Sequence, residues 1–520
     1  MDRLLVLALL TTLLSCHELR SACSTVPAAA AAAKAPASSP QPRQSDRLRV
    51  ALDAAARSVG QALAALNAVT PPASRSRTVG PFAAGISSSR ALAAAAREDC
   101  AELLQESLHL LAGASAPGAA RDDAMAWLSA ALTHHDTCAD SLAEAGVVSA
   151  YVSGADDHVY AASPNLTTAR TMVRDSLAMY AASSTTPPPH TAPAPGCGCT
   201  KNQTQQHDAC GFPRWLPSTD RRLLLSPAAS LKATADLVVA QDGTGTHATI
   251  GDAVDAAPEC SARRTVIHVK AGRYDEIVRL GSKKTNLVFV GDGVNRTVVT
   301  GRRSVADNFT TFQTPTFAVS GSGFMMRDMA VENTAGPWMH LAVALRDTLY
   351  AHAGRHFYRD CDVYGNAAAV LQRCTLWSRA PLPKQENTVT AQGRCEPCQD
   401  TGLVLHRCRI LPVAVDAPSA HSGATYLGRP WRPYSRVVVM LSYIGPHVPP
   451  RGWMPWNENA YALDTLYFGE YRNGGPGAGV GGRVSWPGHR VIADDAEAER
   501  FTVARFIAGA SWLPDTGLSL

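Results

Sequence analysis

A short segment that recurs in the C-terminal half constrains the fold of this chain more than any other feature. Five eight-residue segments resemble one another, at residues 324–331, 356–363, 369–376, 403–410 and 437–444. Self-similar short strands are typical of a solenoid, and strands of this length predict a parallel β-helix. A sandwich of hairpins is the alternative, but the tight Asn-Gly type turns that it needs are scarce.

The spacing of these segments is uneven. Successive segments end 32, 13, 34 and 34 residues apart. Solenoid repeats run to about 20 residues or more, so an interval of 13 is too short for one coil. We therefore expect residues to be missing between Val363 and Leu376.

The N-terminal half has helical periodicity instead. Cys100, Leu103, Leu104, Leu108 and Leu111 fall on one helix face, and a second stripe runs from Leu128 to Leu142. A third helix is predicted through Ala169, Val173 and Leu177, with Asn165 as its N-cap. Because the predicted connections are short, residues 46–183 are expected to form an all-α four-helix bundle.

Two segments have the composition of disordered chain or linker. Residues 24–45 are rich in Ala, Pro and Ser, and residues 184–234 contain two proline clusters. Arg221 and Arg222 lie inside the second segment, where an exposed basic pair is either a charged turn or a protease site. Short β-type runs begin at residue 235 and continue to residue 520, so we predict that the C-terminal domain spans residues 235–520.

The N-terminus predicts secretion. Residues 4–14 form an apolar run that is too short to span a bilayer, and small residues follow it, so residues 1–23 are interpreted as a signal peptide. A buried helix is the alternative, and no other segment is apolar enough to cross a membrane. Secretion would make the 13 cysteines disulfide candidates, and it would allow glycosylation at the sequons of Asn165, Asn202, Asn295 and Asn308.

The net charge argues against one class of partner. Lys and Arg number 48 against 44 Asp and Glu, so the formal charge is +4. This balance does not favour a nucleic-acid-binding protein, in which a basic stripe is expected.

Several motifs together resemble plant-type pectinesterases with an N-terminal inhibitor-like pro-region. The helical half carries EDCAELL at 98–104 and ALTHHDTC at 131–138, and the linker carries GFPRWL at 211–216. The C-terminal half carries AQDGTG at 240–245, GRYDE at 272–276, NTAGP at 333–337, DTLY at 347–350, QGR at 392–394 and YLGRPW at 426–431. The fold that this resemblance implies is an all-β right-handed parallel β-helix, in agreement with the repeats.

The resemblance also implies an activity. The family hydrolyses methyl esters of pectin to pectate and methanol without a metal or cofactor, and it uses two Asp carboxylates, an Arg and oxyanion-binding Gln side chains. Asp347 matches the proton donor and Arg429 the residue that orients the nucleophile. Trp431 and Thr311 match substrate-binding positions. Pectin, the chain's own pro-region and a processing protease, acting at Arg221 and Arg222, are the implied partners.

The chain departs from the family pattern at three places. Leu341 occupies the slot of the first oxyanion Gln. The 346–347 junction lacks the residues that lead to the second Gln, and the 365–366 junction lacks the segment that carries the nucleophile. Asp362 is the nearby carboxylate that could replace the nucleophile, provided that the backbone is rerouted. Either the protein has lost about one coil or the gene is misassembled, and the sequence leaves both open.

Two disulfides are expected. The resemblance pairs Cys100 with Cys138. The repeat places Cys374 and Cys408 at equivalent positions of successive coils, about 4.8 Å apart, which is within the Cα range of a disulfide. Cys361 has the same repeat position and could compete.

Three functions remain in competition. The first is a secreted pectinesterase with doubtful catalytic competence, and the second is a non-catalytic pectin-binding regulator. The third is a protein whose helical region alone acts, as an inhibitor of partner pectinesterases. A glycosidic-bond hydrolase or lyase on the same fold is not favoured, because no suitable Asp cluster is found.

Overall fold

A computed structural model describes eleven parts of the chain. They are residues 44–68, 83–146, 159–182, 228–304, 307, 309–334, 348–364, 370–378, 386–413, 424–456 and 460–508. None of the helices within these ranges is long and apolar enough to cross a membrane.

Four long helices come first, α1 (Gln44–Ala68), α2 (Ala83–Ser115), α3 (Arg121–Glu144) and α4 (Val159–Ala182). They pack around one hydrophobic core, with α2 against α3 and α1 against α4. The stripes predicted from periodicity supply about half of that core, including Leu103, Leu111, Leu128, Leu132 and Val173. We call these four helices the helical region.

The N-cap predicted at Asn165 is wrong. Helix α4 begins at Val159 and already contains Pro164, so Asn165 lies within the helix. Pro164 is the sixth residue of the helix, beyond the first four whose N–H groups have no intrahelical acceptor, so the helix accommodates it with the loss of one backbone hydrogen bond.

A disulfide joins α2 to α3. Cys100 and Cys138 are bonded across 38 residues, and both are buried in the helical core. This is the pairing that the resemblance implies. Cys395 and Cys398, in the C-terminal half, are also disulfide-bonded, which the sequence did not predict.

The C-terminal half is a parallel β-helix built from three main sheets. The large sheet contains β1 (Leu237–Val239), β2 (Thr265–Val269), β5 (Leu287–Gly291), β8 (Phe324–Arg327), β11 (His356–Arg359), β13 (Val370–Gln372), β17 (Leu403–His406), β21 (Arg436–Met440), β23 (Tyr467–Tyr471) and β24 (His489–Val491). The second sheet contains β3 (Gly272–Asp275), β6 (Thr297–Gly301), β9 (Ala330–Asn333), β12 (Asp362–Tyr364), β14 (Thr375–Ser378), β18 (Arg409–Pro412) and β22 (Tyr443–Ile444).

The third main sheet is smaller, with β4 (Val278–Leu280), β7 (Phe317–Val319) and β10 (Leu349–Ala351). Two short pairs complete the wall, namely β15 (Asn387–Thr388) with β19 (Thr425–Tyr426), and β16 (Ala391–Gln392) with β20 (Arg429–Pro430). All of these neighbours are parallel, as a solenoid of strands requires.

The interior is a set of in-register columns of apolar side chains. The column in the large sheet contains Ile267, Phe289, Met326, Tyr358, Leu371, Leu405 and Val439, all fully buried. This column crosses the 13-residue interval without a break, because Tyr358 pairs directly with Leu371. The expectation that an interval of 13 residues is too short for one coil is therefore wrong, because residues 365–369 alone separate β12 from β13. That residues are missing at this point stays a prediction.

The turn between the first two sheets repeats in five successive coils, from β8 to β22. Asp328, Asp360, Arg373, Arg407 and Leu441 each adopt a left-handed backbone, with φ between 48° and 56°. The residues that follow them point into the core, including Cys361, Cys374 and Cys408.

The predicted Cys374–Cys408 disulfide is wrong, because both residues are free buried thiols and so is Cys361. In-register residues of parallel strands direct their Cα–Cβ bonds the same way, so their Cβ atoms stay about 4.8 Å apart. A disulfide needs about 3.5–4.5 Å between Cβ atoms. The thiols hydrogen bond to main-chain carbonyls instead, such as that of Leu371 at 3.3 Å from Cys408 Sγ.

Short helices cover parts of the β-helix. Helix α5 (Ala228–Ala233) forms the end of the predicted linker, and its Leu231 packs on the outer face of the large sheet. Helices α7 (Asp495–Glu499) and α8 (Val503–Phe506) cover the same face further along. Helix α6 (Ile250–Ala256) is capped by Thr249 and packs near β1 and β4.

Candidate functional site

The helical region lies directly on one side of the β-helix. Phe312 and Ala353 of the β-helix belong to the same hydrophobic cluster as the cores of α2 and α3. Around this apolar centre, carboxylates of α2 and α3 meet hydrogen-bond donors of the β-helix. The contact therefore combines a continuous hydrophobic core with charged edges.

One such edge is the Thr310 turn, which we define as Thr310 together with the 3₁₀ segment Thr311–Gln313. The Thr310 hydroxyl donates to Asp99 Oδ2 at 2.6 Å, and Gln313 Nε2 donates to Asp99 Oδ1 at 2.8 Å. The Thr311 backbone N–H donates to Glu144 Oε2 at 2.8 Å. Burial raises the pKa of Asp99, although both of its hydrogen bonds act in the opposite direction. The turn thus binds two carboxylates at once.

Arg279 adds a cation beside this turn. Its guanidinium lies over the Phe312 ring, 4.5 Å from the ring centroid, and Arg279 Nη2 is 3.4 Å from Glu102 Oε2. Three residues after Arg279, the Ser282 backbone N–H donates to Glu106 Oε1 at 2.6 Å. Asp99, Glu102 and Glu106 are therefore three successive acceptors along α2.

A second edge surrounds Trp431. Arg432, which follows it, is buried and donates through Nη2 to both carboxylate oxygens of Asp140 in α3. Both residues line a cavity of about 110 Å³ between α3 and the β-helix, together with Trp431, Gln392, Gly393 and Tyr350. A Cβ on Gly393 would lie 3.2 Å from the Trp431 ring, so the backbone packs closely against the indole there.

Histidines occupy the buried centre of the contact. His134 of α3 stacks on His352 of the β-helix with ring centroids 5.0 Å apart, and Thr137 Oγ1 lies 2.8 Å from His352 Nε2. Glu106 Oε2 is 3.5 Å from His134 Nε2. Desolvation lowers the pKa of His134 to about 3 and raises the pKa of Glu106 to about 7. At neutral pH His134 is therefore uncharged, whereas Glu106 is about half ionised.

The predicted site residues are only partly brought together. Thr311 and Trp431 both lie beneath α3, as described above. The Arg429 guanidinium lies over the Trp456 ring, 4.4 Å from its centroid, and Arg429 is not among the described residues that line the cavity. Asp347 and Leu341 lie outside the described residues, as do Arg221 and Arg222.

Asp362 lies in a regular strand. Its backbone pairs with Ala330 on one side and Thr375 on the other, so the strand is not rerouted at this position. Of the predicted glycosylation sites, Asn295 is exposed before β6 and Asn165 is half-exposed in α4. Asn202 and Asn308 lie outside the described part of the chain.

The sequence reasoning missed the residues that make the interface. Asp136, Asp140 and Glu144 recur every four residues along α3, which is a visible signal for an acidic helix face. Their partners could not be inferred, because Arg432 and Thr311 are far away in the sequence. Asp99 lies within a motif that had already been singled out, but only as a mark of resemblance.

By its fold, the chain belongs to the class of two-part proteins in which a helical region is docked on one side of a parallel β-helix. The sequence matches the Pectinesterase family over residues 236–347 and 345–510, and the plant invertase/pectin methylesterase inhibitor family over residues 15–179. The chain belongs to the pectinesterase family and carries the inhibitor-type domain at its N-terminal side. The pectinesterase match falls into two parts that meet at the 346–347 junction, where the sequence predicts missing residues.

Similar proteins are named for the pectinesterase, and some for the inhibitor as well. "Probable pectinesterase/pectinesterase inhibitor 34" of Arabidopsis thaliana is 45% identical over 456 residues, covering 82% of this chain and 74% of its own length. "Pectinesterase 2.2" of Solanum lycopersicum is 42% identical, covering 81% of this chain and 77% of its own length. Among solved structures, the pectin methylesterase from carrot is 45% identical with a TM-score of 0.49, covering 54% of this chain and 96% of its own.

Proposed function

We propose that this protein is secreted, binds methyl-esterified pectin of the plant cell wall in the cavity beside Trp431, and is held in a closed form by its own helical region. In this proposal the helices form a four-helix bundle and the β-helix is right-handed. The observation that carries it is the position of α3 over the predicted substrate-binding residues. Asp140 accepts from the Arg432 guanidinium, next to Trp431, and Glu144 accepts from the Thr311 N–H.

The proposed chemistry is ester hydrolysis of low efficiency. In the family pattern Asp347 would protonate the leaving methoxide, and Arg429 would orient an attacking carboxylate. The shortened connection between β12 and β13 removes the segment that carries this carboxylate, and Leu341 cannot donate to an oxyanion. Loss of a single oxyanion donor typically costs about 10²–10³ in rate. We therefore propose slow or absent methanol release.

A second function is favoured by the same short connection. If Asp362 does not replace the nucleophile, the protein is a pectin-binding regulator without hydrolysis. Its cavity retains an indole and a guanidinium, which suit a sugar ring and its carboxylate. Cleavage near Arg221 and Arg222 by a processing protease would then expose a binding face instead of an active esterase.

Methanol release from methyl-esterified pectin distinguishes the two functions. We would compare the full chain, the chain cleaved in the linker, and the cleaved chain with a family-like nucleophile segment inserted after Gly365. The first function expects slow release from the cleaved natural chain and the second expects none, whereas both expect faster release from the third protein, which Asp347→Asn should abolish. Release by the cleaved natural chain at the rate of the repaired chain would contradict both. If Asp362→Ala then removed that activity, Asp362 would be the replacement nucleophile.

A further inference from the structure

The carboxylates on α2 and α3 are arranged as a series. Within the described residues, six of them meet a donor on the β-helix: Asp99, Glu102, Glu106, Asp123, Asp140 and Glu144. On α3, Asp140 and Glu144 are four residues apart, which is about 6 Å along the helix axis. Each of these carboxylates thus occupies a donor on the β-helix, and we call the donors of the six contacts the track: Arg279, Ser282, the Thr310 turn, Arg355 and Arg432.

The donors on this track are of a kind that recognises carboxylates. Thr310 and Gln313 bind both oxygens of Asp99, Thr311 supplies a backbone N–H, and Arg279 and Arg432 supply guanidinium groups. Thr310 and Arg432 are buried, so their positions are fixed by packing. Hydrogen bonds from such groups to an ionised carboxylate are shorter and stronger than neutral ones.

We propose that this track binds a run of free uronate carboxylates, and that de-esterified pectin competes with the carboxylates of α2 and α3 for the same donors. The proposal rests on the proposed pectin-binding function and adds a regulation to it. The carboxylates of the helices take the places of uronate carboxylates on the donors, so binding of the polyanion weakens the contact between the helical region and the β-helix. A fully methyl-esterified chain lacks the charges and competes poorly.

The cavity supports this assignment of the ligand. The Trp431 ring lies beside Arg432, whose guanidinium carbon is 5.7 Å from the ring centroid, so an apolar platform adjoins a carboxylate-binding group. A uronate residue suits this combination, because its sugar ring can stack on the indole while its carboxylate pairs with the guanidinium. Polarity also matters, since these six contacts all place the negative charge on the helices. Arg170 of α4 with Glu396 of the β-helix is a pair of opposite polarity outside this series.

The test is calorimetric binding of hexagalacturonate and of its fully methyl-esterified form to the full-length protein at constant ionic strength. Three variants carry the argument: Asp99→Ala with Glu144→Ala, the isosteric Asp99→Asn with Glu144→Gln, and Thr310→Val with Gln313→Ala. Asp53→Asn, an exposed carboxylate on α1, is the matched control. Circular dichroism confirms that each variant is folded.

The two kinds of variant should differ in direction. Removing the helix carboxylates should raise the affinity for hexagalacturonate by about tenfold or more, with a smaller effect in the isosteric variant. Removing the donors also loosens the helical region, but it should lower that affinity by about tenfold. Asp53→Asn should change nothing.

Two results would overturn the proposal. One is a rise in hexagalacturonate affinity when Thr310 and Gln313 are replaced, because the donors would then serve only to hold the helices. The other is equal binding of the acid and the ester by the carboxylate variants. Neither readout requires hydrolysis, so a protein that releases no methanol can still support this inference. A protein that hydrolyses esters but gives both of these contrary results would refute this inference and leave the proposed function intact.

Discussion

The β-helix interior and the contact with the helical region are both buried, but they are built from different chemistry. The interior stacks neutral apolar side chains such as Met326 and Leu405 in columns that continue from coil to coil. The contact instead buries Asp140 against Arg432 and stacks His134 on His352. Apolar burial stabilises without regard to pH or partner, whereas a buried charge is tolerated only while its partner remains. The first arrangement suits a permanent scaffold and the second a separable contact.

The largest effect is expected where a buried ion pair loses one partner. Asp140→Ala leaves the Arg432 guanidinium buried without its acceptor, which should weaken docking of the helical region by about 3–5 kcal/mol. Urea unfolding, followed by circular dichroism at the helical wavelengths, measures the change. Asp53→Ala, on the exposed side of α1, is the control. An equal loss in both variants would mean that the ion pair does not hold the contact.

A cavity in the β-helix core should destabilise the β-helix and leave the docking of the helical region unchanged, the reverse of Asp140→Ala. Leu405→Ala removes a fully buried side chain between Leu371 and Val439, so unfolding of the β-helix should become easier by about 2–5 kcal/mol. Docking of the helices should not change. The exposed Val491→Ala should cost less than about 0.5 kcal/mol. Loss of helical docking in Leu405→Ala would show that the two regions are not energetically separate.

The disulfide stabilises only the helical region. Replacing Cys100 and Cys138 with Ala opens a 38-residue loop and should cost that region about 2–4 kcal/mol. Thiol alkylation in denaturant without reductant should label Cys374 and Cys408 and spare Cys100 and Cys138. A peptide map that links Cys374 to Cys408 would contradict the column of free thiols.

The contact should respond to pH through Glu106. This carboxyl group faces Glu102, Arg279, Ser282 and His134, and desolvation raises its pKa from 4.5 to about 7 in the docked form. The docked form binds the extra proton, so this contribution is complete below pH 4.5 and is lost as the pH rises through 7.

Glu106→Gln isolates the effect, because glutamine keeps an acceptor for the Ser282 N–H without a charge. The stability difference between the natural chain and the variant should change by at most about 1.4 kcal/mol per pH unit between pH 4.5 and 7. His134, whose pKa is lowered, acts with the opposite sign in both proteins and cancels. Parallel pH profiles for the two proteins would refute the role of Glu106.

The sequence predicted the repeating parts of the molecule better than the contacts between them. The Leu103 and Leu128 stripes and the eight-residue strand segments are periodic, so local patterns identify them. The prediction of a Cys374–Cys408 disulfide failed because it considered only the Cα separation, whereas in-register positions also keep the Cβ atoms about 4.8 Å apart, which is too far for the bond. The hydrogen bond that Thr310 donates to Asp99 joins residues 211 positions apart, and no local pattern encodes such a contact.

Hydrogen exchange at the Thr310 turn tests most directly whether the helical region closes this face through its carboxylates. The Thr311 amide donates to Glu144, so it should be protected in the full-length protein. In Asp140→Ala, mass spectrometry of a peptide spanning residues 309–316 should show that this protection is lost, while Leu405→Ala should retain it. Equal exchange of the turn in the natural chain and in Asp140→Ala would contradict the account.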